Sequence, residues 1–107
     1  MSVNTVVGTW DLRLKTPVGS LAVVYTFTET AGVIAGTAEG SGETVPLTAI
    51  ASAETADGLH VTWRQSVTRP LRLHLDFDVT VVGDTLAGWS RAGRLPASSV
   101  TGTRRSG

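Results

Sequence analysis

Large apolar and polar side chains alternate along most of this chain, and the alternation starts at Gly8-Thr9-Trp10-Asp11-Leu12-Arg13-Leu14. A period of two marks a strand with one dry and one wet face. Trp10, Leu12 and Leu14 share the first, and Asp11, Arg13 and Lys15 share the second. Twelve glycines and four prolines punctuate the runs that follow, which are rich in Val, Thr and Leu. That is the pattern of many short antiparallel strands. No window carries a helical stripe, because the candidate stretches are broken by glycine or crowded with β-branched residues. The pattern predicts eight strands, at roughly 5–15, 20–29, 32–39, 44–53, 58–67, 70–82, 85–92 and 98–105.

Parity predicts the partners of each strand. The turn Thr16-Pro17-Val18-Gly19 sets Leu14 against Leu21, Leu12 against Val23 and Trp10 against Tyr25. The next reversal, Thr28 to Val33, is expected to place Phe27 opposite Ile34 and Tyr25 opposite Gly36. Strand 44–53 breaks the alternation, and Pro46 within it suggests a bulge or weak pairing. A loop at Thr68-Arg69-Pro70 sets Trp63 against Leu75 and Gln65 against Leu73. The Gly83-Asp84 turn pairs Val81 with Leu86, Val79 with Gly88 and Phe77 with Ser90 inside, and Asp76 with Arg91 and Asp78 with Trp89 outside.

Two halves, approximately 5–53 and 58–105, look alike. Thr9-Trp10 with Pro17 matches Thr62-Trp63 with Pro70, and Ile34-Ala35-Gly36 matches Leu86-Ala87-Gly88. This suggests a four-strand unit repeated about a pseudo-twofold axis. An open eight-stranded sheet of this size leaves two edges and a bare apolar face, so closure into a single up-and-down barrel spanning 1–107 is the expected all-β fold.

Composition narrows the function. Nine basic residues balance nine acidic ones and are scattered, which lacks the footprint of a nucleic-acid binder. The absence of cysteine excludes a thiolate metal site, a disulfide framework and a catalytic thiol. The start has no basic and apolar leader pattern, and no run approaches the ~18 apolar residues of a membrane span, so a cytoplasmic protein without a membrane partner is expected. His74-x-Asp76 faces outward without a third ligand, so no metal is expected. Glu39-Gly40-Ser41-Gly42-Glu43 is glycine-rich, but its carboxylates repel phosphate. Arg69 and Arg94 are either solvated or steer an anion.

The residues at one end of the barrel carry a resemblance. Gly8-x-Trp10, with Arg104 of the last strand over the indole, resembles the floor of the calycin barrels, the group of lipocalins, fatty-acid-binding proteins and avidins. Gly32-Val33-Ile34-Ala35-Gly36-Thr37 is similar to the third-strand pattern of avidins. The resemblance implies a lipocalin-like barrel with Trp10 and Arg104 as its structural floor, and it brings no ligand with it. With the floor there, the turns at 16–19, 39–43, 68–70 and 92–97 form the mouth.

Eight strands enclose a space that is either filled or holds one small ligand. The inward residues Gly36, Ala38, Gly88 and Ser90 are small, which favours a cavity; Leu14, Leu21, Leu71 and Leu73 give it an apolar wall with Trp63, and Ser90 adds a hydroxyl. Gln65 and Tyr25 are the candidate catalytic groups. The Gln65 amide either bonds backbone or Tyr25, or orients a ligand carbonyl or hydroxyl. Tyr25 is either a core residue with a satisfied hydroxyl or a donor to substrate. The leading expectation is a barrel for a small hydrophobic molecule, acting as a cofactor-free cyclase or isomerase on a polyketide-like metabolite of natural-product biosynthesis. A non-catalytic carrier, or a filled barrel used for protein contacts, are the alternatives. Trp89, outward by parity, suggests a homodimer surface.

Overall fold

The computed structural model describes residues 6–16, 19–40, 42–67 and 73–105. Nine antiparallel strands lie within them: β1 (Gly8–Thr16), β2 (Gly19–Thr30), β3 (Val33–Gly40), β4 (Glu43–Pro46), β5 (Thr48–Thr55), β6 (Gly58–Val67), β7 (Leu73–Val82), β8 (Thr85–Arg91) and β9 (Ser98–Arg104). They form one sheet in the order β4-β3-β2-β1-β9-β8-β7-β6-β5. The sheet curls until β4 lies beside β6 and β3 beside β5, which makes a nearly closed up-and-down barrel. Among the described residues no helix is long and apolar enough to cross a membrane.

The expected count of eight is corrected to nine because the predicted strand 44–53 divides. Its first half, β4, pairs with β3, and its second half, β5, pairs with β6. Pro46 has no N–H to give and ends β4. Leu47 N–H still donates to Gly36 O at 2.9 Å, while Thr48 already faces Arg64 and its Oγ1 donates to Arg64 O at 3.2 Å. The register then shifts between Thr48 and Ala51, and Ala49 takes a φ of 53°. A bulge thus re-aims one continuous segment from one side of the seam to the other.

Hairpins β1–β2 and β7–β8 have the registers the alternation predicts, from Trp10–Tyr25 and Leu14–Leu21 to Phe77–Ser90 and Asp78–Trp89. Two other registers differ from expectation by two residues. Phe27 faces Gly36 and Tyr25 faces Ala38, because the β2–β3 reversal uses only Ala31 and Gly32 between the paired Thr30 and Val33. Trp63 faces Phe77 and Gln65 faces Leu75, because the β6–β7 pairing ends at Val67–Leu73. Trp10 and Trp63 are both fully inward, and Gly36 and Gly88 both lie opposite inward residues, but these are local likenesses and the nine strands do not show the expected four-strand repeat.

The core is the barrel interior. Trp10, Leu12, Leu14, Tyr25, Phe27, Val61, Trp63, Phe77, Val79, Val81, Leu86 and Val100 are all buried there, as parity requires. Gly88 is imposed by backbone proximity, since a Cβ there would lie 2.0 Å from the Asp78 carbonyl oxygen. The β2–β3 turn is under mild strain, with Ala31 at φ 52° ahead of Gly32 at φ 83°. Both central residues of such a turn have positive φ, for which Asn-Gly is the favoured pair.

Gly88→Ala is expected to lower stability by about 3 kcal/mol through forced separation of β7 and β8. Ala31→Asn, in contrast, is expected to raise it by about 0.5 kcal/mol, because asparagine tolerates the left-handed region better than alanine. Urea denaturation of the two variants checks both signs.

Candidate functional site

The floor forms where β1 and β9 pair. Trp10 and Arg104 are Cα partners, and the guanidinium carbon stands 4.5 Å from the indole centroid. Its nitrogens also reach Asp84 Oδ1 at 2.9 Å, Gly83 O at 2.9 Å and Val7 O. The indole N–H donates to Val6 O at 2.8 Å. Gly8 allows this stack: its φ is 135°, and a Cβ there would meet the Arg104 side chain at 3.3 Å. The spacing Gly8-x-Trp10 therefore clears room for the cation that caps the ring. The contact expected between Arg104 and the Trp10 indole is present.

Above the floor, four rings meet across the lumen. Tyr25 and Phe27 come from β2, Trp63 from β6 and Phe77 from β7. Trp63 and Phe77 stack at 4.9 Å with planes 9° apart, Tyr25 lies 5.5 Å from Trp63, and Phe27 meets Trp63 edge-on at 5.4 Å. Such pairs add about 0.5–1.5 kcal/mol each beyond the area they bury. Trp63, expected as a wall or stacking surface for a ligand, is fully engaged by these rings at this level.

Gln65 sits at the edge of the cluster and is 6% exposed. Its Oε1 accepts two hydrogen bonds, from Tyr25 Oη at 2.7 Å and from Trp63 Nε1 at 3.1 Å. The indole nitrogen only donates, so the amide cannot turn round without setting its NH2 against another N–H. Neither the Gln65 NH2 nor the hydroxyl of Ser90, also buried, donates to any described residue. No fully buried side-chain nitrogen or oxygen among the described residues is left without a partner. Tyr25 and Gln65, predicted separately as candidate catalytic residues, are thus one hydrogen-bonded unit.

The wall thins toward the mouth. Leu14 is buried, Val23, Leu73 and Leu75 are partly buried, and Leu21 is 45% exposed. The expectation that Leu21 lines the interior is corrected: it pairs with Leu14 as predicted, but close to the end of its hairpin, where the barrel no longer covers it. Leu71 lies outside the described residues, as do Arg69 and Pro70. A concavity of about 470 Å³ lies elsewhere, across β2, β1 and β9, lined by Asp11, Arg13, Ala22, Thr101 and Thr103 among others. Those five side chains are exposed, so a ligand there would stay wet.

Among the described residues, the titratable groups other than Tyr25 and Arg104 face outward. His60 bonds Asp78 at 2.7 Å, Arg64 pairs with Asp76 at 3.0 Å, Arg105 with Asp11 at 2.8 Å, and Ser66 bonds His74 at 2.7 Å. Arg64 faces Asp76 through the same two-residue register difference that sets Trp63 against Phe77. Exposed pairs of this kind contribute at most about 1 kcal/mol. No group of three His, Asp or Glu among the described residues is placed to hold a metal ion. Trp89 is 40% exposed, with the Arg91 guanidinium 5.3 Å from its ring centroid.

What sequence reasoning missed is the stack of Trp63 on Phe77 and the Trp63 indole as a second donor to Gln65; Tyr25 was among the partners it offered for that amide. Parity placed all these residues inside, but it does not say which strands face each other across the lumen. The chain matches no family model, no curated protein and no solved structure.

Tyr25 is the sole tyrosine, which makes its titration readable. Burial, the dominant cause, raises its pKa well above the ordinary 10.0, and the bonds to Gln65 and Trp63 offset only part of this. The unfolded chain therefore loses the proton at lower pH than the folded one. Stability from neutral Tyr25 is complete below about pH 10 and falls as pH rises beyond it. Tyrosinate absorbance is expected to appear only together with unfolding, and Tyr25→Phe is expected to flatten the alkaline fall in stability measured by urea titration.

Proposed function

We propose that this barrel binds one small apolar molecule in the half of its lumen between the aromatic cluster and the mouth. The observation that carries the reading is the buried Gln65 amide, whose oxygen is held by two donors, so that the NH2 is the edge it has left for a ligand. An apolar site with a few fixed polar groups is the usual form of a small-molecule pocket. In this reading Gln65 and Ser90 contact the ligand, Leu14, Leu73 and Leu75 line it, and Tyr25 and Trp63 hold Gln65 in place. The floor of Trp10 and Arg104, with its resemblance to the lipocalin-like barrels, agrees with a site opening at the opposite end.

Carriage of the ligand is favoured over conversion. The Tyr25 hydroxyl spends its proton on Gln65, and burial holds it neutral, so it makes a poor acid toward a ligand. A cofactor-free cyclase or isomerase remains the second reading, supported by one feature: a fixed amide NH2 suits a carbonyl oxygen that gains charge during reaction. Its rate would come from the shape of the lumen folding a flexible substrate.

Titration with the neutral fluorophore N-phenylnaphthylamine tests the site. One equivalent is expected to bind, quenching tryptophan emission by energy transfer. Leu73→Trp, which fills the mouth side, is expected to weaken binding by about tenfold with the fold intact by circular dichroism. A folded protein that takes up none of the probe would overturn the reading.

A further inference from the structure

The geometry around Gln65 says more than that a ligand binds. It says which end of a ligand can be recognised, and the inference rests on the binding reading above. Glutamine is ordinarily ambidextrous, because rotation of its amide exchanges a carbonyl acceptor for an NH2 donor. Here rotation is blocked. Tyr25 Oη and Trp63 Nε1 both point at Oε1, at 2.7 and 3.1 Å, and the indole nitrogen has no lone pair with which to accept a bond from the NH2. Tyr25 is held neutral by burial, so its hydroxyl keeps the proton it donates. The edge that Gln65 has left for a ligand is therefore a donor only.

The rest of the described interior sharpens the selection. Its buried side chains are apolar apart from Gln65, Ser90, the hydroxyl of Tyr25 and the bonded indole N–H groups of Trp10 and Trp63, so none of them is a cation that could neutralise an anion. A carboxylate would lose its hydration without a counter-charge, which is the costly case for burial. A pure hydrocarbon would leave the NH2 without water or partner. A carbonyl oxygen, an acceptor with no proton and no net charge, satisfies the NH2 and adds nothing that needs a further partner.

We propose that the lumen selects neutral ligands bearing a ketone, ester or amide carbonyl at the buried end, with Gln65 as the recognising donor and Tyr25 and Trp63 as positioning residues. Three probes of one shape separate the contributions: acetylnaphthalene, isopropenylnaphthalene, in which a methylene replaces the carbonyl oxygen, and naphthoate. The wild-type protein is expected to bind the ketone about tenfold more tightly than the alkene, the worth of one buried hydrogen bond, and to bind naphthoate most weakly. The carbonyl stretch of the bound ketone is expected to move to lower frequency, and Gln65→Leu is expected to abolish that shift. Tyr25→Phe is expected to narrow the ketone preference while leaving alkene affinity unchanged, a split that simple loss of stability would not produce. Saturable binding of ketone and alkene with equal affinity overturns the carbonyl selection and leaves the binding site standing. Failure of all three probes to bind removes the site and the selection together.

Discussion

The barrel closes around four rings that no flat sheet could bring together. Tyr25 and Phe27 stand on β2, while Trp63 and Phe77 stand on β6 and β7, and the sheet order puts β1, β9 and β8 between β2 and β7. Only curvature lets Tyr25 approach Trp63 to 5.5 Å and Phe77 to 5.9 Å. The rings bury a large apolar area, and burial of that area is the main favourable term available to a chain of 107 residues without disulfides. The rest of the architecture serves that contact. Gly36 and Gly88 let backbone and side chains approach closely, Leu47 packs over Gly36, and Arg104 seals the end below Trp10.

Closure needs a device at the seam, and the chain supplies one at residues 43–55. A strand that paired with β3 along its whole length would leave β6 with an open edge, and one that paired only with β6 would strand β3. The segment does both in turn, with Pro46 ending the first ladder and Ala49 absorbing the change of direction. Thr48 marks the hand-over, since its hydroxyl bonds β6 while the neighbouring Leu47 amide still bonds β3. The irregularity read from Pro46 is therefore the joint of the barrel. A break in alternation can mark the position on which the topology depends.

Much of this was legible in the residues, and the limits have a physical cause. Alternation fixes faces, so every ring of the cluster, with Gln65 and Ser90, was placed inside correctly. Turn length fixes register, and that is harder to read. At Ala31-Gly32 a two-residue turn contains an alanine with positive φ, which does not advertise itself as Asn-Gly would. At the β6–β7 connection the extended reading of residues 70–72 moved the pairing by two. A slip of two keeps parity, so the inward set survived both differences while its neighbours changed. That is why Trp63 was assigned Leu75 and its stack on Phe77 was missed. The bond between Tyr25 and Gln65 spans forty residues and crosses the lumen, and no local pattern encodes such a meeting.

The same division between face and neighbour explains where chemistry can reside. Apart from Arg104 at the floor, the charge of the described residues lies on the outer face, where His60 with Asp78, Arg64 with Asp76 and Asp11 with Arg105 are water-exposed and nearly neutral in their effect on stability. Inside, polarity is rationed to groups that hold one another. A glutamine amide neither gives up nor takes a proton near neutral pH, and a buried phenol that donates to it is held neutral as well. If a guest binds as proposed, the described lumen would orient and polarise it without shuttling protons through these side chains. Any conversion would then draw on the guest's own reactivity, with the nearly closed barrel fixing its conformation. A fixed donor would hold a resting carbonyl and stabilise a charged one by the same contact. On that reading carrier and catalyst would differ in what the guest can do, and very little in what the protein supplies.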